Sequence, residues 1–180
     1  PQCTQLCFMP SWNADSVTVA YADPGFGIMG TSILSGSPSL ILGPTGYYWD
    51  AAANIPRPIL HMPPIQSAAM SPDGKRIVYS QPAHDRYELN LVNADGTFAT
   101  AVTNPDPILY YLLGIAVHNV SPAWSPSGNE IMFLADRNGK WEFFVVNPDG
   151  SNLRQVLKTV TDSITIRYDF SNERVLDWAK

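Results

Sequence analysis

A turn motif that recurs along the chain constrains the fold of this sequence more than any other feature. Ser-Pro-Asp-Gly begins at Ser71 and Ser-Pro-Ser-Gly begins at Ser125, each between an apolar residue and a run of β-prone residues. Proline at the second place presets φ and glycine at the fourth relieves the exit of the chain, which suits a β-turn. Looser versions of the same segment surround Asn13 and Ser171. The sequence therefore repeats a strand–turn–strand unit.

The spacing of the motif predicts the size of the whole unit. The four aligned positions are separated by 58, 54 and 46 residues, whereas one four-stranded blade of a β-propeller takes about 40 to 50 residues. Residues 87–97 and 141–151 also agree with each other, because both end in an Asp-Gly hairpin signal, and 87–91 alternate apolar with polar residues. Residues 100–103 and 153–157 then supply a fourth strand. We predict an all-β fold of four-stranded antiparallel propeller blades with little helix.

These repeats indicate about three blades and a partial fourth. The predicted repeats cover approximately residues 8–43, 65–103, 120–157 and 164–180 of a single propeller, or propeller fragment, that spans residues 1–180. Three apolar rings are expected in the core between blades, namely Trp12, Trp124 and Phe170. The motif aspartates are expected to form turns and to do nothing else, namely Asp73, Asp95 and Asp149.

The repeat carries a family resemblance. Ser-Pro-Asp-Gly-Lys-x-Ile at 71–77, followed by an aromatic-rich strand that ends in Asn-x-Asp-Gly-Ser/Thr, resembles the TolB-type, WD40-like propeller repeat. The resemblance covers residues 65–157, extends more loosely over 8–21 and 164–178, and is absent from 24–64. It implies a periplasmic or secreted propeller, usually of six or seven blades, that binds other proteins. The same repeat occurs in the propeller caps of prolyl oligopeptidase-like enzymes, so it identifies the fold better than the function.

Composition narrows the classes of partner. Charged residues make up 15% of the chain, below the roughly 25% of typical globular domains, which favours a periplasmic or extracellular protein. A net charge of −5 gives no electrostatic basis for binding nucleic acid or an anionic membrane. The longest uncharged apolar run, residues 107–117, is shorter than the roughly 20 residues of a membrane span. That run could instead form one short buried helix.

The sequence carries no sign of catalysis or of a cofactor. A Gly-x-Ser-x-Gly elbow, a phosphate-binding loop and His-Glu-x-x-His are all missing from it. The only cysteines, Cys3 and Cys7, have no further cysteine or nearby histidine to complete a zinc site, so they form either a small-loop disulfide or two free thiols. His61 and His118 stand alone in apolar surroundings, and no metal site is expected.

Blade topology divides the loops between two faces of the disc. The motif turns define a tight-turn face, and the second turn of each blade and the connections between blades define an opposite face, here called the irregular-loop face. Its predicted segments are residues 23–30, 43–64, 81–86, 104–119 and 136–140. Loops on a rigid scaffold usually carry function. The candidate binding residues on this face are Tyr47, Tyr48, Trp49, His84, Arg86, Tyr110, Tyr111 and Arg137.

The leading hypothesis is a noncatalytic propeller scaffold that presents the irregular-loop face to a protein partner. The alternatives are a propeller fragment of a larger prolyl oligopeptidase-like enzyme and a structural subunit of a multiprotein assembly. Three blades and a partial fourth cannot close a six- or seven-bladed ring, so two edges are expected to be open. A partner chain, an oligomer or further parent sequence would close the propeller. A less favoured alternative is closure of a small four-bladed ring by residues 3–9.

Overall fold

Three four-stranded antiparallel sheets make up most of the structure. The structure is a computed structural model, and it describes residues 8–13, 15–23, 27–36, 38–42, 47–50, 55–58, 65–105, 108–170 and 175–179. Cys3 and Cys7 lie outside the described residues, so their state remains a prediction. The predicted all-β propeller architecture is confirmed, because each sheet is a meander whose strands pair in chain order.

The sheets are called blades 1, 2 and 3. Blade 1 contains β1 Phe8–Trp12, β2 Thr18–Asp23, β3 Gly27–Ser32 and β4 Pro38–Leu42. A separate pair of strands follows, β5 Tyr47–Asp50 and β6 Ile55–Pro58. Blade 2 contains β7 Gln66–Met70, β8 Arg76–Ala83, β9 Arg86–Asn93 and β10 Thr100–Ala101. Blade 3 contains β11 Asn119–Trp124, β12 Ile131–Ala135, β13 Glu142–Val146 and β14 Arg154–Val156.

Apolar side chains lie between the blades. The first strand of blade 2, β7, contacts both β1 and β11, so the first strands are the inner strands of the stack. Between blades 1 and 2 the core includes Ile28, Ile77 and Tyr79, and between blades 2 and 3 it includes Phe133 and Phe144. Strand residues alternate between the two faces of a blade, so blade 2 is stabilised on one face by blade 1 and on the other by blade 3.

Trp124 shows how one blade is joined to the blade before it. Trp124 is buried in blade 3, and its Nε1 donates a hydrogen bond of 3.0 Å to the carbonyl oxygen of Ala69 in blade 2. The guanidinium of Arg76 lies over the same indole, 5.0 Å from the ring centroid. The predicted role of Trp124 between blades is confirmed. Trp12 occupies the equivalent place in blade 1 but is 59% exposed, because no preceding blade lies among the described residues.

Two motif glycines also join successive blades. Gly96 and Gly150 follow the aspartates of the β9–β10 and β13–β14 turns and both have φ +83°. A Cβ atom at Gly150 would lie 2.8 Å from the carbonyl oxygen of Val102 in blade 2, and one at Gly96 would be closer still to the carbonyl oxygen of Ile41 in blade 1. Glycine is therefore required at these positions for two reasons: the backbone is left-handed there, and the preceding blade lies too close for a side chain.

The motif aspartates accept hydrogen bonds within their own turns, as the sequence predicts. Asp73 Oδ1 accepts from Ser71 Oγ at 2.6 Å and from the Lys75 amide at 3.1 Å. Asp149 Oδ1 accepts from both the hydroxyl and the amide of Ser151, at 2.6 Å and 2.9 Å. Both hydrogen bonds favour the ionised carboxylate and lower the pKa of Asp149, and the bond from the Ser151 hydroxyl has the larger effect.

Two connections that the sequence predicts to be irregular contain strands. In residues 23–30, the β2–β3 ladder continues to the pair of Asp23 and Gly27. Within residues 43–64, β5 and β6 pair as an antiparallel hairpin. The aromatic run 47–49 therefore lies on a strand, since residues 55–58 supply an extended partner for it.

The apolar run 107–117 contains a short π-helical turn, Ile108–Leu112. A short helix is confirmed there, but the expectation that it is buried is wrong. Ile108 is 63% exposed and Leu112 is 77% exposed. The π-helical turn lies in the connection between blades 2 and 3, and none of its residues is buried.

The chain after β14 covers blade 3 without extending its sheet. A single-turn helix, α1 Lys158–Thr161, contacts β13. The described residues of 164–179 pair in no ladder, so the start of a fourth blade is not seen as strands in this part of the chain. The Val175 amide instead donates to Ser121 Oγ at 3.4 Å, at the beginning of blade 3. The described part of this segment therefore contacts blade 3 through a side chain of β11 and not through a ladder.

Candidate binding face at the junction of blades 2 and 3

Most of the predicted binding residues that the structure describes meet where blades 2 and 3 adjoin on the irregular-loop face. Arg86, Tyr110 and Arg137 line one narrow crevice there, although they come from a hairpin, a connection and a second hairpin. Tyr111 packs edge-on against Tyr110, with ring centroids 5.1 Å apart. His84 is exposed in the β8–β9 turn with φ +60°. Only the backbone of residues 47–49 is described, so the role of Tyr47, Tyr48 and Trp49 stays a prediction.

A buried ion pair lies at the centre of this junction. Arg86 and Glu88 are 9% and 6% exposed, and Arg86 Nε donates to Glu88 Oε1 at 2.8 Å. Glu88 Oε2 accepts from Thr103 Oγ1 at 2.6 Å and from Asn119 Nδ2 at 2.9 Å. Burial lowers the pKa of Arg86, but the hydrogen bond and the charge of Glu88 outweigh burial and the pKa is raised. Because Asn119 belongs to blade 3, this network joins two blades.

Arg137 extends the network from the β12–β13 turn. Its Nη2 donates to Asn119 Oδ1 at 3.1 Å, and its guanidinium lies 5.8 Å from the Phe144 ring centroid. The two guanidiniums are thus separated by one buried carboxylate and one amide. The hydrogen bonds of this network, together with the 3.6 Å contact of Arg86 Nη1 with Asp85 Oδ1, fix the geometry of the loops above it.

The same arrangement occurs one blade later. Lys140 Nζ lies 3.2 Å from Glu142 Oε1, and Glu142 also accepts a hydrogen bond from Asn138. Burial raises the pKa of Glu142, but the bonds from Asn138 and Lys140 outweigh it and hold that pKa below its ordinary value. Neither glutamate is among the residues that the sequence predicts for a site. The sequence does contain a pattern that marks them, because a basic–aromatic–Glu triplet occurs twice, as Arg86-Tyr87-Glu88 and Lys140-Trp141-Glu142.

An exposed apolar loop stands above the buried pair. Tyr110 covers Arg86, whose guanidinium carbon lies 4.3 Å from the ring centroid. On both sides of Tyr110 in the sequence, the connection exposes five large apolar side chains. They are called the apolar loop: Ile108, Tyr111, Leu112, Leu113 and Ile115. A cation under the tyrosine ring and a turn of helix hold the loop in place. The result is an apolar projection on a rigid base.

A cluster of aromatic rings lies beside these residues. Tyr87 and Trp141 occupy equivalent places at the start of the third strand in blades 2 and 3, and His118 lies in the connection that leads into β11. Phe170 lies among the three rings, with centroid distances of 5.3 Å to Tyr87, 5.1 Å to His118 and 5.7 Å to Trp141. The sequence predicts Phe170 in the core between blades, and the structure instead places it on this face. The His118 amide donates to Asp136 Oδ1 at 2.7 Å, which fixes the connection.

The tight-turn face also has a polar cleft, lined in part by Arg76, Glu130 and Asp149. Its charged groups are already engaged. Glu130 accepts from Arg154 Nη2 at 2.6 Å, and Arg76 lies on Trp124. The cleft is therefore the space left between turns whose polar atoms bond to one another.

Metal-ligating side chains do not cluster on either face within the described residues. In the ranges described, no three histidine, cysteine, aspartate or glutamate side chains are placed to hold a metal ion. None of the helices in that part of the chain is both long enough and apolar enough to cross a membrane. The chemistry that the junction offers is apolar and aromatic contact over a fixed charge network.

Three successive antiparallel meanders, packed face to face through their inner strands, define a β-propeller. Its fold is that of the TolB-like propellers. The structure is similar to TolB of Acinetobacter baumannii, with a TM-score of 0.56, 16% identity, and coverage of 84% of this chain and 32% of that one.

Sequence comparison finds distant relatives. The chain is 29% identical over 121 residues to dipeptidyl-peptidase 5 of Porphyromonas endodontalis, covering 64% of this chain and 16% of that protein. It is 36% identical over 66 residues to the Tol-Pal system protein TolB of Albidiferax ferrireducens, covering 36% of this chain and 13% of that protein. No protein-family model matches the sequence. The chain thus spans less than a fifth of the length of either relative.

Proposed function

We propose that the chain is a noncatalytic propeller scaffold that binds a protein partner through its irregular-loop face, in a periplasmic or extracellular compartment. The observation that carries this proposal is the apolar loop. Leu112 and Tyr111 are 77% and 75% exposed within one turn of helix. Contiguous apolar surface on a protein in water marks an interaction site, and aromatic side chains are common anchors there.

The support beneath the loop favours recognition over mere exposure. Tyr110 rests on Arg86, which is fixed by Glu88, and Glu88 is bonded to residues of two blades. A preorganised surface loses little conformational entropy when a partner binds. Few charged residues and the resemblance to TolB-type repeats support an extracytoplasmic location.

The match to a dipeptidyl-peptidase favours a second candidate, in which the chain is the propeller portion of a larger peptidase. The apolar loop would then contact another part of the same polypeptide. The reading frame of the parent gene distinguishes the two, because an α/β-hydrolase segment with a Gly-x-Ser-x-Gly elbow would support the peptidase.

The binding proposal is tested with two matched variants. Leu112→Asp places a charge in the apolar loop, and Leu34→Asp places the same charge at an 81% exposed leucine in the β3–β4 turn of the tight-turn face. The tagged chain and both variants are used to capture proteins from an extract of the source, and the purified pair is then measured by calorimetry. We expect a partner whose affinity falls at least about tenfold with Leu112→Asp and is unchanged with Leu34→Asp. Equal effects of the two variants, or none, would contradict the proposal.

A further inference from the structure

We infer that Tyr87, His118 and Trp141 form a receptor for an aromatic side chain of a peptide, and that Phe170 of the chain itself occupies it. These three residues are called the aromatic groove. The inference rests on the proposed function, since it names a partner chemistry for the irregular-loop face. The groove is separate from the apolar loop, so the two can be tested independently.

The walls of the groove are built by the repeat. Tyr87 pairs with Pro82 in the β8–β9 ladder, Trp141 immediately precedes β13, and a buried glutamate follows each ring. His118 closes the third side, 5.9 Å from the Tyr87 centroid and 6.3 Å from the Trp141 centroid. Three rings on rigid elements surround a space that accepts one more ring.

Phe170 is held there by ring contacts rather than by a sheet. Its ring stacks on Tyr87 with an interplanar angle of 30° and meets His118 and Trp141 edge-on, at 76° and 72°. Offset stacking and edge-to-face contacts are the favoured aromatic geometries. The described residues 164–170 take part in no ladder. Phe170 has φ +58°, which is unfavourable for a bulky residue and indicates that the ring contacts hold the backbone in place.

The residues around Phe170 define the ligand pattern. Tyr168, two positions earlier, packs edge-on against Trp141 at 5.1 Å and against Phe170 at 5.4 Å. Burial raises the pKa of the Tyr168 phenol. Asp169 between them is exposed. The segment thus presents aromatic–x–aromatic to the groove, and we assign that pattern to the partner peptide.

The segment in the groove is tethered close to it. Lys140 Nζ lies 3.0 Å from Asp162 Oδ1 and donates to the Thr161 carbonyl oxygen at 3.2 Å, so α1 is fixed to the β12–β13 turn next to Trp141. A ligand on a short tether has an effective concentration in the millimolar range. A partner must therefore displace Phe170, and removal of that ring raises the measured affinity of the groove for a peptide in trans.

The test uses the full chain and a fluorescently labelled peptide of residues 164–170, Ile-Thr-Ile-Arg-Tyr-Asp-Phe, measured by anisotropy. We expect Phe170→Ala to bind the peptide at least about tenfold more tightly than the unaltered chain, because the groove is vacated. Adding Trp141→Ala should abolish the gain, whereas adding Tyr111→Ala in the apolar loop should not. Thermal unfolding of each variant accompanies the titration.

Equal binding by the unaltered chain and Phe170→Ala, or a gain that survives Trp141→Ala, would overturn the inference. A second measurement keeps the ring in place: 4-fluorophenylalanine at position 170 of the otherwise unaltered chain reports displacement by its fluorine resonance. We expect excess peptide, but not the same peptide with Tyr and Phe replaced by Ser, to shift that resonance. An unmoved resonance at millimolar peptide counts against the groove even if Phe170→Ala fails to fold. The Leu112→Asp experiment judges the proposed function separately.

Discussion

Blade 1 and blade 3 carry the same tryptophan at the same place in the repeat, and only one of the two is buried. Trp124 is 5% exposed and is hydrogen bonded to Ala69 of the preceding blade, whereas Trp12 is 59% exposed. The strand and turn around each residue are alike. The difference shows that the motif determines the shape of a blade, while the burial of its apolar residues depends on the neighbouring blade.

The two ends of the stack differ as well. On the outward face of blade 3, Leu134 and Val145 are 3% and 1% exposed, and α1 contacts β13. On the outward side of blade 1, Trp12 and Leu40 are 59% and 54% exposed. One outward face is buried in this structure and the other is open. The predictions below test which contacts depend on an adjacent blade.

The largest effect is expected at the tryptophans themselves. Trp124→Ala removes a buried indole and a hydrogen bond between blades, and should lower the free energy of unfolding by about 3 to 5 kcal/mol. Trp12→Ala removes a mostly exposed ring and should cost less than about 1 kcal/mol. Urea denaturation followed by circular dichroism measures both. Similar losses for the two variants would show that blade 2 does not support Trp124 as described.

The buried glutamates should rank next. Glu88→Gln removes the buried charge partner of Arg86, leaves only the exposed Asp85 at 3.6 Å, and should cost about 3 kcal/mol. Glu142→Gln should cost about 1 kcal/mol, since Lys140 is 47% exposed and water can solvate its ammonium group. The same denaturation experiment compares them. A larger loss for Glu142→Gln than for Glu88→Gln would mean that the network joining blades 2 and 3 is misassigned.

A glycine pair separates backbone strain from contact between blades. Gly150 and Gly139 have φ +83° and +78°, but only Gly150 would place a Cβ against the preceding blade, near Val102. Gly150→Ala should therefore cost about 1 to 2 kcal/mol more than Gly139→Ala, which bears the left-handed penalty alone. The difference in melting temperature reports this quantity. Indistinguishable variants would show that blades 2 and 3 are further apart at this turn.

The smallest expected effect is on the stability of the folded chain at acidic pH. The pKa of Asp149 is lowered from 3.8 in the folded chain by the Ser151 hydroxyl and amide, so its stabilising bonds are present above pH 3.8 and are lost as the pH falls through the lower, folded value. The equivalent turn of blade 1, residues 32–36, has no aspartate. Asp149→Asn should make the melting temperature less sensitive to pH below 3.8. An unchanged pH profile would indicate that this carboxylate contributes nothing to the turn that holds Gly150.

The sequence predicts the blades because the information is local. Turn residues at Ser71–Gly74 and Asn147–Gly150 and the alternation in β9 act within a few positions, so the strand order follows from them. The exposure of Trp12 was not predictable, because it depends on what precedes blade 1. The π-helical turn at Ile108–Leu112 was predicted as a helix but not as a projection, since its burial depends on the surrounding loops.

The site was predicted in part. Arg86, Tyr110, Tyr111 and Arg137 were singled out as loop residues, and the structure places them together. The aromatic groove is not predictable in the same way, because the sequence pattern predicts Tyr87 and Trp141 as positions in half-buried strands and Phe170 as a core residue. Tyr87 and Phe170 are 83 positions apart in the chain, and no periodicity in the sequence predicts a contact over that separation.

In this structure each later blade is joined to the blade before it by contacts of its inner strand. The most direct measurement is hydrogen exchange of the tryptophan indole protons, followed in nitrogen-15 correlation spectra with each resonance assigned by single substitution. The Nε1 proton of Trp124 should exchange slowly, because it is buried and bonded to the Ala69 carbonyl oxygen, while that of Trp12 should exchange at the rate of an exposed indole. Fast exchange at Trp124, equal to that at Trp12, would contradict the stacking of blades 2 and 3.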